Sequence, residues 1–130
     1  MKKDARMIYI CSPLSAPTED GIKTNALMAQ KYADEIRTLT GCRTIAPHAV
    51  LPLYTPLDDS IPEEREICLN FGLDVLSICS GIAICGNKIS QGMAVEIARA
   101  QELGIDIYRY DSNLQHLSFY FKNVTEVAQY

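Results

Sequence analysis

Gly81-Ile82-Ala83-Ile84-Cys85-Gly86, running on into Asn87-Lys88-Ile89-Ser90-Gln91-Gly92-Met93-Ala94-Val95-Glu96, is the stretch on which the fold turns. Its first part is apolar at every position rather than at alternate ones, as a strand buried on both faces requires. Its second part offers Ser90 as a helix cap, then Met93, Ile97 and Ala100 at helical spacing, and Gly104 as a stop. A buried strand feeding a helix is the first half of a βαβ crossover. Ile105 to Tyr110, rich in β-formers, completes it as the next strand.

Working outward, Met7-Ile8-Tyr9-Ile10-Cys11 reads as a strand ended by Ser12-Pro13, because proline removes a ladder donor. Ile22 to Leu39 carries Ala26, Ala29, Ala33 and Ile36 at helical spacing, with Gly41 just beyond. Thr44-Ile45-Ala46 is a short strand stopped by Pro47. The segment from Pro47 to Pro62 holds four of the six prolines, too many for a helix, and is long enough for a binding loop or lid. Ser60-Ile61-Pro62-Glu63-Glu64 reads as a capped helix start, the helix running to about Cys79 with Ile67, Phe71, Val75 and Ile78 as its apolar stripe. Leu114 to Phe121 reads as a short helix or an edge strand. Strands alternating with helices predict one α/β domain over residues 1–130. It is a doubly wound, flavodoxin- or Rossmann-like parallel sheet of four to five strands, order 2-1-3-4, with helices on both faces. Ligands of such sheets bind beyond the carboxyl ends of the strands, here the loops after Cys11, Ala46, Cys85 and Tyr110.

Composition narrows the functions. At 130 residues, 48% hydrophobic and 22% charged, the chain can bury a core without disulfide or metal staples. A net charge of −4 and the lack of a basic stripe argue against a nucleic-acid polymer as partner. No apolar run approaches the roughly 20 residues of a membrane span, and the charged start is not followed by a secretory core. The cysteines, at 11, 42, 68, 79 and 85, are odd in number and not clustered, which argues against a disulfide framework or zinc site and for a cytoplasmic setting. Without a Gly-x-Gly-x-x-Gly turn after the first strand, no dinucleotide cofactor is indicated, and none of any other kind is expected.

The chemistry-bearing residues gather around the decisive stretch. Free amides at the start of the Ser90 helix, near Gly92, favour an anionic group, and Asn87 lies in the same loop. Glu96, on the second turn, could project over that pocket, although a capped helix with a solvated glutamate fits the same pattern. Asp74 sits near the inward edge of the preceding helix if the stripe is counted from Phe71; an exposed aspartate bridging to a neighbour is the other reading. Together Glu96 and Asp74 would form a carboxylate pair able to divide nucleophile and proton-donor roles at a glycosidic bond. Arg65 is placed to meet a phosphate or to pair with Glu63 or Glu66. His48 lies just past the second strand, at the pocket mouth. Tyr9 reads as core, its hydroxyl reaching toward the loops.

Ile8-Tyr9-Ile10-Cys11-Ser12-Pro13, the Asn25 to Ala33 helix, Ile45-Ala46-Pro47-His48, and Ser90-x-Gly92-x-x-x-Glu96 with Ala98 and Ala100 together resemble the nucleoside 2-deoxyribosyltransferase-like superfamily. That group includes 2'-deoxynucleoside 5'-phosphate N-hydrolases. Small bacterial and phage members share the Asp58 to Glu66 stretch. The resemblance runs from Met7 to Tyr110. It implies a nucleoside or nucleotide as the small-molecule partner, a homodimer or higher oligomer in which a neighbour completes the site, and N-glycosidic cleavage through a glycosyl ester on Glu96. It further implies that Asp74 assists the departing base, that Ser90 and the amides near Gly92 hold the 5' end, and that Ser12 and Pro13 line the sugar and base pocket. Two positions depart from the pattern: Pro13-Leu14-Ser15 replaces an aromatic or glycine, and Ser80 replaces an acid. These departures motivate an alternative, a non-catalytic nucleotide-binding protein using the same pocket.

Overall fold

Alternation in strand β1 (Met7–Cys11) organises the molecule: Ile8 and Ile10 enter one core cluster, Tyr9 and Cys11 the other. Neighbouring strand residues point to opposite faces, so this one strand anchors two layers. The computed structural model describes residues 6–14, 16–47, 49 and 61–121. His48 and the Asp58-Asp59-Ser60 run fall outside the described residues.

After β1 come α1 (Glu19–Thr40), β2 (Arg43–Ile45), α2 (Pro62–Leu76), β3 (Gly81–Cys85), α3 (Gln91–Leu103), β4 (Asp106–Asp111) and β5 (His116–Phe121). The sheet order is β2-β1-β3-β4-β5; the first three pairings are parallel and β4–β5 is antiparallel. The expected 2-1-3-4 core is therefore present, with the ambiguous tail segment adding an edge strand. β3 lies at the centre, paired on both sides and buried at all five positions, as its unbroken apolar run requires.

Helices cover both faces. Ala29, Ala33 and Ile36 of α1 pack with Ile8, Ile10, Ala83 and Cys85 on one side. Leu76 of α2 and Met93 and Ala100 of α3 pack with Tyr9, Cys11, Ile82 and Ile84 on the other. The α3 boundaries follow the sequence signals: Ser90 Oγ accepts from the Met93 amide at 3.2 Å, and Gly104 closes the helix at φ 70°, a left-handed conformation that favours glycine. No described helix is long and apolar enough to cross a membrane.

Helix α2 departs from expectation in two ways. Its N-cap is Ile61, which makes no side-chain capping bond, so the helix starts one residue later than a Ser60 cap would place it. More consequentially, Ile67, Phe71 and Ile78 of the expected inward stripe are exposed. The helix instead turns Gly72 and Leu76 inward as its buried residues, with Leu73 packed against the core. Leu69, Gly72, Leu73 and Leu76 form a second register at i, i+3, i+4 and i+7, and this is the face the sheet accepts.

Candidate active site

Three elements converge on one carboxylate. α3 presents Met93, Glu96 and Ala100 to the sheet, three or four residues apart, so the turn that buries a methionine and an alanine also buries Glu96. Only 7% of Glu96 is exposed. A buried carboxylate without partners would be costly, and β1 supplies them. The Tyr9 hydroxyl donates to Glu96 Oε2, and the Cys11 thiol lies 3.6 Å from Oε1 and 3.9 Å from the Met93 carbonyl oxygen. Because Tyr9 and Cys11 are two residues apart on one strand, both reach the same face.

α2 completes the arrangement by what it lacks. A Cβ at Gly72 would stand 2.6 Å from the Tyr9 hydroxyl oxygen and 3.6 Å from Glu96 Oε2. Only a hydrogen at this position lets α2 pass over the tyrosine–glutamate pair.

Beside Glu96 opens a cavity of about 300 Å³, lined by Ser12 and Leu14 after β1, Pro47 after β2, Arg65, Cys68 and Leu69 from α2, and Ser90, Gly92 and Val95 around α3. It thus sits beyond the carboxyl ends of β1 and β2, where doubly wound sheets bind ligands. Its volume is at the lower end of the range of small-molecule sites. Its walls are largely apolar, and Glu96 is the only carboxylate among the described residues that line it. Among the described residues no cluster of His, Cys, Asp or Glu is placed to hold a metal ion.

Burial pushes the Glu96 carboxyl up to about 7, against the opposing pull of the hydrogen bonds from Tyr9 and Cys11. The same burial, reinforced by the glutamate's charge, drives the Tyr9 phenol and the Cys11 thiol well above their ordinary values. Both stay protonated near neutrality and act as donors; Glu96 is the member of the trio that titrates.

Ser12, Arg65, Ser90, Gly92 and Glu96 meet at this cavity. Others do not. Asp74 is exposed and outside the lining, because two helical steps of about 100° each carry it to the far side of α2 from Gly72. The expected convergence of Glu96 and Asp74 therefore does not occur within the chain. Pro13 is half-buried and lies beside Gly86, and Asn87 is exposed; neither lines the cavity. His48 is outside the described residues. The partners of Glu96, Tyr9 and Cys11, read in the sequence as core, Tyr9 with its hydroxyl toward the loops, and not as holding a carboxylate; the available signal was their i, i+2 placement on a strand beside the Ser90 helix.

The fold has a solved counterpart in the 2-deoxyribosyltransferase of the psychrotolerant bacterium Bacillus psychrosaccharolyticus. The two share 17% identity and a TM-score of 0.53, over 80% of this chain and 71% of that one. No curated protein matches the sequence. A family model described as Domain of unknown function (DUF7768) matches residues 6–110, most of the chain and every described element that builds the cavity, and the chain belongs to that family.

Proposed function

We propose that this protein cleaves, or transfers across, the N-glycosidic bond of a deoxynucleoside or its 5'-phosphate, with Glu96 as nucleophile. The observation that carries the reading is the buried Glu96 carboxylate at the wall of a nucleoside-sized cavity, held by two protonated donors. In the proposed reaction an ionised Glu96 oxygen attacks C1' of the sugar. The bond from C1' to the base nitrogen breaks, its electron pair leaves on the base, and the base takes up one proton. Water then attacks the same carbon, loses a proton and frees Glu96; a second base in place of water gives transfer. Ser90 and the amides at the start of α3, with Arg65 at the rim, suit the 5' end, and Ser12 suits the sugar. Asp74, exposed on the far side of α2, is given no part. A homodimer or higher oligomer, as the resemblance implies, would place a neighbour at the open rim.

With no second carboxylate among the described residues that line the cavity to protonate the leaving base, a binding-only protein is the competing reading. One experiment separates them. Base release is followed chromatographically from the four natural 2'-deoxynucleosides and their 5'-monophosphates, with wild type and Glu96→Ala. Release by the wild type, lost in a folded Glu96→Ala, supports the enzyme. Substrate bound yet recovered intact supports the binding protein, and release unchanged by Glu96→Ala refutes the assignment of the nucleophile.

A further inference from the structure

A carboxylate held through one oxygen can still rotate about the bond to its own chain. Tyr9 holds Oε2 of Glu96; the other oxygen meets the Cys11 sulfur at 3.6 Å. Cys11 is fully buried, so no water competes for its proton, and the thiol is not shared with a disulfide. Its one S–H has two acceptors in reach, the Glu96 oxygen and the Met93 carbonyl at 3.9 Å; the first is nearer and, when ionised, charged.

Resting on the reading of Glu96 as nucleophile, we propose that Cys11 is a positioning residue whose thiol fixes Oε1 of Glu96 while the Tyr9 hydroxyl fixes Oε2. The two donors are unequal, and the inequality is useful. A phenol is a strong donor and takes charge from Oε2. A thiol is a weak one, so it orients Oε1 while leaving it the richer in electrons and the better attacking atom. Among the described residues the other titratable groups bordering the cavity, Arg65 and Cys68 of α2, are present unchanged in every variant of the test below.

The test uses the ligand-free protein together with turnover. Glu96 is titrated by carbon-13 NMR of side-chain-labelled glutamate, its resonance assigned by loss in Glu96→Gln, in wild type, Cys11→Ala and Cys11→Ser. A hydrogen bond to the charged form lowers a carboxyl pKa, so its removal in Cys11→Ala is expected to raise the midpoint by roughly half a unit. Serine restores a donor, a stronger one, and is expected to bring the midpoint below that of the wild type. In turnover, Cys11→Ala is expected to lower kcat about five-fold with KM unchanged, and serine, which orients Oε1 but draws more charge from it, to recover only part of that loss. Equal midpoints in all folded variants overturn the proposal; if Cys11→Ala does not fold, a Cys11→Ser midpoint no lower than wild type does so. These results are distinct from failure of the glycosidase reading. A wild type that releases no base, yet shows the ordered midpoints, refutes that reading and retains the thiol's hold on Glu96.

Discussion

Replacing Gly72 by alanine adds one methyl group at the tightest crossing in the site. The new Cβ would lie 2.6 Å from the Tyr9 hydroxyl oxygen, whereas side-chain carbons keep at least 3.0 Å and are comfortable beyond 3.4 Å, so something must move by 0.4 to 0.8 Å. The Tyr9 ring is 1% exposed and packed in the core, which leaves the hydroxyl little room to yield without leaving Glu96. Losing a hydrogen bond to a buried charged acceptor costs about 1.5–3 kcal/mol. Against this, alanine is favoured over glycine in a helix by about 1 kcal/mol. The net expectation is a destabilisation of about 0.5–2 kcal/mol, a drop in Tm of roughly 2–7 °C for a domain of this size. Glu96, with a donor weakened, should titrate above its present value of about 7. Thermal and urea unfolding give the first quantity, and carboxyl NMR the second. A Gly72→Ala protein about 1 kcal/mol more stable than wild type, as helix propensity alone predicts, with Glu96 titrating unchanged, would refute the reasoning.

Glu96→Gln should abolish base release yet stabilise the fold in alkaline solution. The folded pKa, about 7, lies above the ordinary 4.5, so the wild-type glutamate stabilises most below pH 4.5, and this contribution is lost as pH rises through 7. Urea unfolding at pH 8 should show Glu96→Gln ahead by on the order of 3 kcal/mol, the gap closing below pH 4.5. Tyr9→Phe should move the acid limb of the kcat/KM profile upward by about one unit, since the donor it removes favours the carboxylate. Ser90→Ala should lower stability by about 1 kcal/mol in the same assay through loss of the α3 cap. Asp74→Ala should leave turnover within about two-fold of wild type and stability within about 0.5 kcal/mol, because the residue is exposed; a hundred-fold loss would return it to the reaction.

What could be read in advance divides along physical lines. The unbroken apolar run at β3, the Ser90 cap and the Gly104 stop each have one local cause, and each was legible. Helix α2 was not, because it carries two apolar registers: 67, 71, 75 and 78, and 69, 72, 73 and 76. The first has the bulkier side chains and attracts the reading; the second contains the glycine that allows close approach to Tyr9. Choosing the first register turned Asp74 inward and created a carboxylate pair absent from the folded chain. Likewise, no local pattern marks Tyr9 and Cys11 as partners of Glu96, since 87 and 85 residues separate them and only the parallel β1–β3 pairing brings their elements together.

Strand β1 also has a practical meaning for anyone altering this protein. Its even-numbered side chains serve a layer that never meets the buried Glu96, and the sheet stands between as a partition. Free-energy changes made among the α1 residues Ala29, Ala33 and Ile36 should therefore simply add to those made around the cavity. Heat tolerance could be bred into one side while the cavity is reshaped on the other, in either order and without renegotiating the first set of changes.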